Sequence, residues 1–344
     1  MIERTVSLRD VAKAAGFGLA TASRAMRDDP STAAKTREHV KKVAKELGYR
    51  PDPAFSRMAE RRWHGKQAQS GLNIGFVYNS QSDVAKDLDT DYQHYKQPAY
   101  DLGYTLIRVD LSEFSNLRGL IRRLTAQGIK GLVFPMLPHT PFDINPVLQK
   151  YAAVSLGVSA YQPECPVVMH DEFFCTRNAW QIIQERGYRR IGFLLPDYPE
   201  SPSTNLRRAA ALVCIQDVAK KNQIPVLFLK YGIDLDYSKF EAWREKYQPE
   251  ILLGHSHDRM HELEHYGLKI PEEIPFVTSG LWNLAEVGNI AGYFRENKQL
   301  FEQGIQLLNM MIRSGTSGAS RASLVELVKG NWKDGKSLPP KPVA

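Results

Sequence analysis

The sequence predicts a small all-α helix-turn-helix headpiece followed by a larger α/β domain built on parallel, doubly wound sheets. Three observations carry that expectation. Near the N-terminus, apolar residues repeat at helical spacing on both sides of a glycine turn. From Leu72 onward, short apolar strand-like runs alternate with helical ones, the pattern of parallel strands covered on both faces. Positive charge is also partitioned: residues 1–66 hold 15 Lys+Arg against 8 Asp+Glu, while the remaining residues hold 30 of each. A chain of 344 residues has room for two or three domains.

In the first helix, Leu8, Val11, Ala12 and Ala15 fall at i, i+3, i+4 and i+7 and form one apolar face. Ser7 stands where a cap is needed, and Asp10 lies in the first turn, where negative charge suits the helix dipole. Gly16-Phe17-Gly18 interrupts the pattern, since glycine accepts the positive φ of a tight interhelical turn. The next segment, Leu19 to Met26, turns Ala22, Ala25 and Met26 inward and leaves Leu19, Ala20, Ser23 and Arg24 outward. Two helices joined this way form a helix-turn-helix, whose second helix suits a DNA major groove. The partition of charge agrees. A merely solvated surface predicts no such partition, whereas neutralisation of phosphates does.

Arg27-Asp28-Asp29-Pro30-Ser31 reads as a turn cluster. A third helix follows, with Val40, Val43, Ala44 and Leu47 expected to pack on the first two. Pro51-Asp52-Pro53 precedes the stretch from Ala54 to Arg62, and Trp63 to Gly71 reads as a linker. Strand-like runs then start at Leu72, Tyr104, Gly131, Ala153, Val167, Arg190, Pro225, Ile251 and Pro275. Helical stretches stand between many of them, for example Asn116–Gln127, Cys175–Arg186, Leu206–Asn222 and Asp258–Tyr266. The Pro339-Pro340-Lys341-Pro342 end reads as disordered.

No run of residues is long and apolar enough to span a membrane, and the N-terminus lacks the apolar core of a signal peptide, so a cytoplasmic, nucleoid-associated protein is expected. Cys165, Cys175 and Cys214 are too few and too unevenly spaced for a disulfide framework or a cysteine zinc site.

The headpiece closely resembles that of the LacI family of bacterial transcription regulators. The residues that carry the likeness are Ser7-Leu8-Arg9-Asp10-Val11-Ala12, Ala15-Gly16-Phe17-Gly18 and Thr21-Ala22-Ser23-Arg24, continued from Lys35 to Pro53. Weaker likeness to the family's periplasmic-binding-protein-like effector domain runs through Glu185 to Phe193, Pro249 to Leu253, Tyr266 to Ile274 and Lys329 to Gly335. The resemblance implies a headpiece over residues 1–50, a hinge helix over 51–62, a linker over 63–71 and an effector-binding and dimerisation domain over 72–344. The latter would have two lobes, roughly 72–170 and 171–290, with the C-terminal part crossing between them. It also implies a homodimeric repressor that binds a palindromic double-stranded operator, with no cofactor, catalytic residue or membrane partner. A small-molecule effector, in this family most often a sugar or sugar derivative, would sit between the lobes and set operator affinity.

Carried over position by position, the likeness makes Leu19, Ala20 and Arg24 the base-reading residues. Arginine can bridge O6 and N7 of guanine, whereas Leu19 and Ala20 offer only apolar contacts, for instance to thymine methyls. Thr21, Ser23, Arg27 and Thr36 match positions near phosphates, and Met58 stands where the family's hinge helix carries a minor-groove wedge, usually leucine. Gly18 replaces the usual capping serine. Effector contacts are expected from Asp91 and Tyr92 in a loop after the first strand, from His170 and Asp171, and from Arg207 or Arg208 at the start of a helix. His257, Asp258 and Trp282 at later strand ends complete the set. Paired polar groups beside an aromatic face suit a sugar.

A second reading competes. His261-Glu262-Leu263-Glu264-His265 matches H-E-x-x-H, in which two histidines share a helix face and can bind zinc, and His257 lies one turn earlier on that face. That pattern would make the chain a metal-dependent hydrolase. No third ligand is indicated, so no metal is expected. A sugar-binding transport protein would need a signal peptide.

Overall fold

The computed structural model describes residues 6–26, 32–47, 49, 72–81, 88–135, 140–158, 164–198, 201–230 and 236–341. The chain divides into two compact units, Met1–Gly71 and Leu72–Ala344.

In the first unit α1 (Leu8–Ala14), α2 (Leu19–Met26) and α3 (Ala34–Glu46) enclose a core of Val11, Ala12, Ala15, Ala22, Ala25, Val40 and Ala44. Five of these seven are alanines, which bring the helix backbones close and leave little apolar area to bury. Such a unit is marginal by itself. The start of α1 is fixed by a capping box: Ser7 Oγ accepts from Asp10 N–H, and Ser7 N–H donates to the Asp10 carboxylate at 2.9 Å. Gly16, at φ +72°, makes the turn, and the Phe17 amide closes it on the Ala12 carbonyl at 3.0 Å. One expected packing residue differs. Leu47 falls at the C-cap, past the last turn of α3, and is 39% exposed, while Tyr49 folds back against the core instead.

Among its described residues the second unit holds two six-stranded sheets. The first is ordered β11-β5-β4-β3-β1-β2 and is parallel throughout. Its strands are β1 (Leu72–Tyr78), β2 (Tyr104–Asp110), β3 (Ile129–Phe134), β4 (Ala152–Leu156), β5 (Val167–His170) and β11 (Val325–Val328). The second is ordered β12-β10-β9-β8-β6-β7, with only β12 antiparallel. It contains β6 (Ile191–Pro196), β7 (Leu227–Leu229), β8 (Ile251–Gly254), β9 (Phe276–Leu281), β10 (Ala291–Phe294) and β12 (Asn331–Lys333).

Each sheet is covered on both faces, which is why its central strands are buried almost throughout and largely apolar rather than alternating. On the first sheet, α4 (Leu88–Asp101) and α11 (Asn297–Ser314) pack on one side, where Tyr95 stacks on Phe301 at 3.9 Å between ring centroids. The helices α5 (Leu117–Ala126) and α6 (Asn145–Leu148) cover the other. On the second sheet, α7 (Glu172–Glu185) and α8 (Pro202–Gln216) oppose α9 (Tyr237–Tyr247) and α10 (Asp258–His265). Trp180 of α7 stacks on Phe193 of β6 at 5.1 Å.

Three segments pass from one lobe to the other: β5 into α7, β10 into α11, and β11 into β12. The two lobes repeat one strand order, β2-β1-β3-β4-β5 and β7-β6-β8-β9-β10, so each has a switch point beside its first strand. Open α/β sheets bind ligands outside the carboxyl ends of strands at such points.

The proline-rich end departs from expectation. The Tyr188 hydroxyl donates to the Pro339 carbonyl at 3.1 Å, and Lys341 Nζ meets the Glu250 carboxylate at 2.9 Å. Residues 339–341 are therefore fixed by side chains of the second lobe. All three cysteines are buried thiols, and burial pushes Cys165 up to about 12 and Cys214 to about 11, far from reactive thiolates.

Candidate functional site

On the headpiece, α2 presents Leu19, Ala20 and Arg24 to solvent, with Thr21 and Ser23 half-buried beside them. Leu19 is a large apolar side chain left 43% exposed on a fifty-residue unit that has little apolar surface to spare. Arg24 folds back along its helix, its Nε donating to the Ala20 carbonyl at 3.4 Å. Thr36 sits half-buried in the first turn of α3, whose N-cap, Ala33, supplies no side-chain acceptor. Arg27 and Met58 lie outside the described residues.

In the second unit several expected effector residues meet at the carboxyl ends of β5, β6, β8 and β9. Arg207, from α8, is buried and donates through Nη2 to the Glu172 carboxylate at 2.8 Å. His170 ends β5. Burial, with Arg295 adding to it, pushes its pKa down to about 4, so it is neutral at pH 7. His257, just past β8, is buried edge-on against Trp282 with ring centroids 4.9 Å apart, and burial lowers its pKa too. Trp282 follows β9 and keeps 38% of its surface open, so an aromatic face and a neutral imidazole stand side by side. Asp258 is exposed and accepts from Ser256 Oγ at 2.6 Å.

Other expected residues stand apart or are occupied. Asp171 is the N-cap of α7, its carboxylate accepting from Phe174 N–H at 2.9 Å. Asp91 and Tyr92 fall within α4 rather than in a loop, and the side chain of Asp91 lies outside the described residues. Tyr92 donates its hydroxyl to the Leu106 carbonyl at 2.7 Å, while the Arg108 guanidinium covers its ring at 4.2 Å. Arg208 is exposed and lies over Phe228 at 5.0 Å, so of the two arginines Arg207 is the one turned to the strand ends.

Sequence reasoning missed Glu172, Arg295, His255 and Arg259, each at least nine-tenths buried. Glu172 faces Arg295 through both oxygens, at 2.7 and 2.6 Å, and Arg207 through one of them. Burial alone would raise the Glu172 pKa, but Arg295 and then Arg207 bring it below the ordinary carboxylate value. His255 is held well below the ordinary histidine value by burial and by Arg207, Arg259 and Arg295. Arg259 meets Glu262 at 2.6 Å. The available signal was a charged residue standing directly at the end of an apolar strand, as in Val167–Glu172 and Ala291–Arg295.

The H-E-x-x-H segment forms α10. The ring nitrogens of His261 face two carboxylates, Glu264 at 3.1 Å and Glu286 at 3.3 Å, and His265 packs edge-on against Tyr266. Among the described residues no group of three or more His, Cys, Asp or Glu is placed to hold a metal ion. No described helix is long and apolar enough to cross a membrane.

Residues 7–52, the three-helix unit with its glycine turn, match the family described as "Bacterial regulatory proteins, lacI family". The first unit is thus similar to the LacI family's DNA-binding headpiece. The chain is 26% identical over 197 residues to the HTH-type transcriptional regulator GalS of Salmonella typhimurium, covering 55% of the chain and 53% of that protein. It thus spans about half of GalS. With catabolite control protein A of Staphylococcus aureus it shares 22% identity over 302 residues, 82% of the chain and 84% of that protein. The crystal structure of the lac repressor dimer bound to operator and the anti-inducer ONPF superposes with a TM-score of 0.55 at 20% identity, covering 96% of this chain and 98% of that one. At that identity the likeness is one of fold.

Proposed function

We propose that this chain is a LacI-family, sequence-specific DNA-binding transcription regulator, acting as a homodimeric repressor in the cytoplasm, whose operator affinity a small molecule controls. The observation that carries the reading is the outward side of α2. Leu19, Ala20 and Arg24 stand exposed behind a glycine turn, in the part of the chain that holds all of its excess positive charge. A helix so placed reads base edges while the surrounding cations hold phosphates. Arg24 specifies guanine, Leu19 and Ala20 contact thymine methyls, and Thr21, Ser23, Arg27 and Thr36 position the backbone. Residues 1–50 form the headpiece, 51–62 a hinge helix that inserts Met58 into the minor groove, 63–71 a linker and 72–344 the effector and dimer domain. Two headpieces related by a dyad read an inverted repeat, in keeping with the dimer on operator that the lac repressor structure contains.

The effector site lies at the carboxyl ends of β5, β6, β8 and β9, where Trp282 offers a face and His170, Arg207 and His257 offer polar groups. A sugar or sugar derivative fits that mixture. Asp91, Tyr92, Asp171, Arg208 and Asp258 border it. The protein works by binding rather than by catalysis, and no observation favours the hydrolase reading. The test is selection of duplexes from a random library by the full chain, followed by titration at several ionic strengths. An enriched inverted repeat bound with steep salt dependence is expected. Enrichment of no inverted repeat would overturn the reading.

A further inference from the structure

We propose that Glu172 couples the effector site to the lobe crossings, by sharing one carboxylate between Arg207 on the ligand side and Arg295 at a crossing. The proposal rests on the reading of Arg207 as an effector contact. Glu172 is the first residue of α7, directly after the first crossing, where Asp171 N–H donates to the Val328 carbonyl at 2.9 Å and so ties that crossing to the one between β11 and β12. Arg295 occupies the remaining crossing, between β10 and α11, and holds Glu172 by a hydrogen bond from Nη1 to one carboxylate oxygen and an ion-pair contact from Nη2 to the other. Its own position is fixed from the other side. Its amide donates to the Leu281 carbonyl at 2.7 Å and its Nη2 to the Ser279 carbonyl at 2.5 Å. All three crossings therefore meet around one buried carboxylate.

The surroundings leave little room for independent adjustment. A Cβ on Gly330 would lie 2.9 Å from the Phe294 carbonyl oxygen, and one on Gly280 would lie 3.3 Å from the Arg295 guanidinium carbon. Arg207 reaches the same Glu172 oxygen as Arg295, 2.8 Å against 2.7 Å. A ligand oxygen that accepts from Arg207 competes with Glu172 for that guanidinium. In a buried setting the loss of one partner is felt strongly by the charge that remains. Glu172 then rests on Arg295 alone, and the start of α7 shifts against the second crossing. Ligand contact is thereby turned into lobe movement without the ligand touching the crossings.

The test needs no identified ligand. Operator affinity of the full chain is measured on the selected inverted repeat for wild type, Arg207→Gln, Arg295→Lys and the double variant, with melting curves for each and Arg177→Gln on the outer side of α7 as control. Arg207→Gln is expected to change the operator Kd about tenfold or more, and that change is expected to shrink below about threefold in the Arg295→Lys background. If the two fold-changes multiply, or if Arg207→Gln stays within about twofold of wild type, the coupling is refuted. A merely structural role would lower Tm while leaving Kd in place. Should Arg207→Gln lose its cooperative melting transition, Arg207→Lys, which keeps the charge and loses the fork, enters the same cycle under the same criteria. If wild type binds no inverted repeat, the proposed function fails and this inference falls with it. Tight wild-type binding with independent variants refutes the coupling alone.

Discussion

Two arginines show how much a side chain's setting decides its role. Arg24 lies exposed along α2 with a single hydrogen bond to its own helix, so it is available to a partner. Arg24→Ala is expected to cost about 1–3 kcal/mol on the selected operator and much less on a scrambled duplex. Equal losses on both duplexes, measured by titration, would remove Arg24 from the base-reading set. Arg207, by contrast, is committed to Glu172 in a buried cluster. The neighbouring His170 gives that cluster a pH signature. Its pKa is pushed down from the ordinary 6.5 to about 4, so between those values the unfolded chain takes up a proton that the folded one refuses. Stability is thus full above about 6.5 and falls as the pH drops toward 4, and His255 and His257 act in the same direction. Melting temperature is expected to fall between about pH 7 and about pH 5, less steeply in His170→Asn; equal slopes would contradict this account of His170. The outward residues of α2 were legible because a helix of known period fixes which side chains face away. Glu172 and Arg295 were not, since they stand 123 positions apart and only the fold brings them together.

Among the elements, α1 owes its start to the Ser7–Asp10 box, and Ser7→Ala is expected to destabilise the headpiece by about 1 kcal/mol, seen as a lower midpoint for loss of its helical signal. In the second sheet, the β9–β10 pairing depends on Gly292. A Cβ there would lie 2.3 Å from the Thr278 carbonyl oxygen of the neighbouring backbone, which cannot swing aside as a side chain can. Gly292→Ala is expected to cost about 1–3 kcal/mol in urea unfolding, and a wild-type midpoint would show that the strands part more easily than this packing implies. The long apolar strands β1, β3 and β6 could be read from composition alone. The helix α4 could not. Its sequence from Leu88 to Asp101 is mostly polar and contains Pro98, and among the described residues buried Tyr95 and Ala99 with half-buried Tyr92 mark its inner face. The short strand β12, only three residues long, is defined by its antiparallel partner rather than by its own chemistry.

At the scale of the molecule, the excess positive charge lies in one unit and leaves the other balanced, so the proposed DNA affinity belongs to the first. Binding constants are expected to fall linearly on a log–log plot against salt, with a slope near −0.9 for each phosphate neutralised. A second-unit fragment starting at Leu72 should show no such dependence, and a comparable slope from it would relocate the DNA surface. Alternation of strands and helices revealed a doubly wound domain, and the resemblance supplied its two lobes. The repeated strand order, however, and the return of the chain to both sheets are long-range pairings with no local signature.

That return has a bearing on how the chain is made. α11 supplies Leu300, Phe301, Ile305 and Leu308 to the core beneath the first sheet, and β11 extends the same sheet at its edge. On the second sheet, Ser337 Oγ donates to the Phe276 carbonyl at 2.6 Å and accepts from Ala291 N–H at 2.9 Å. The first sheet therefore lacks its edge strand until Val328 has left the ribosome, and the second lacks its clasp until Ser337 has. The nascent chain offers no half that is finished early and can wait for the other. A premature stop before Val325 should accordingly yield not a protein with one sound lobe but a chain in which both are incomplete, and proteolysis in the cell should remove it.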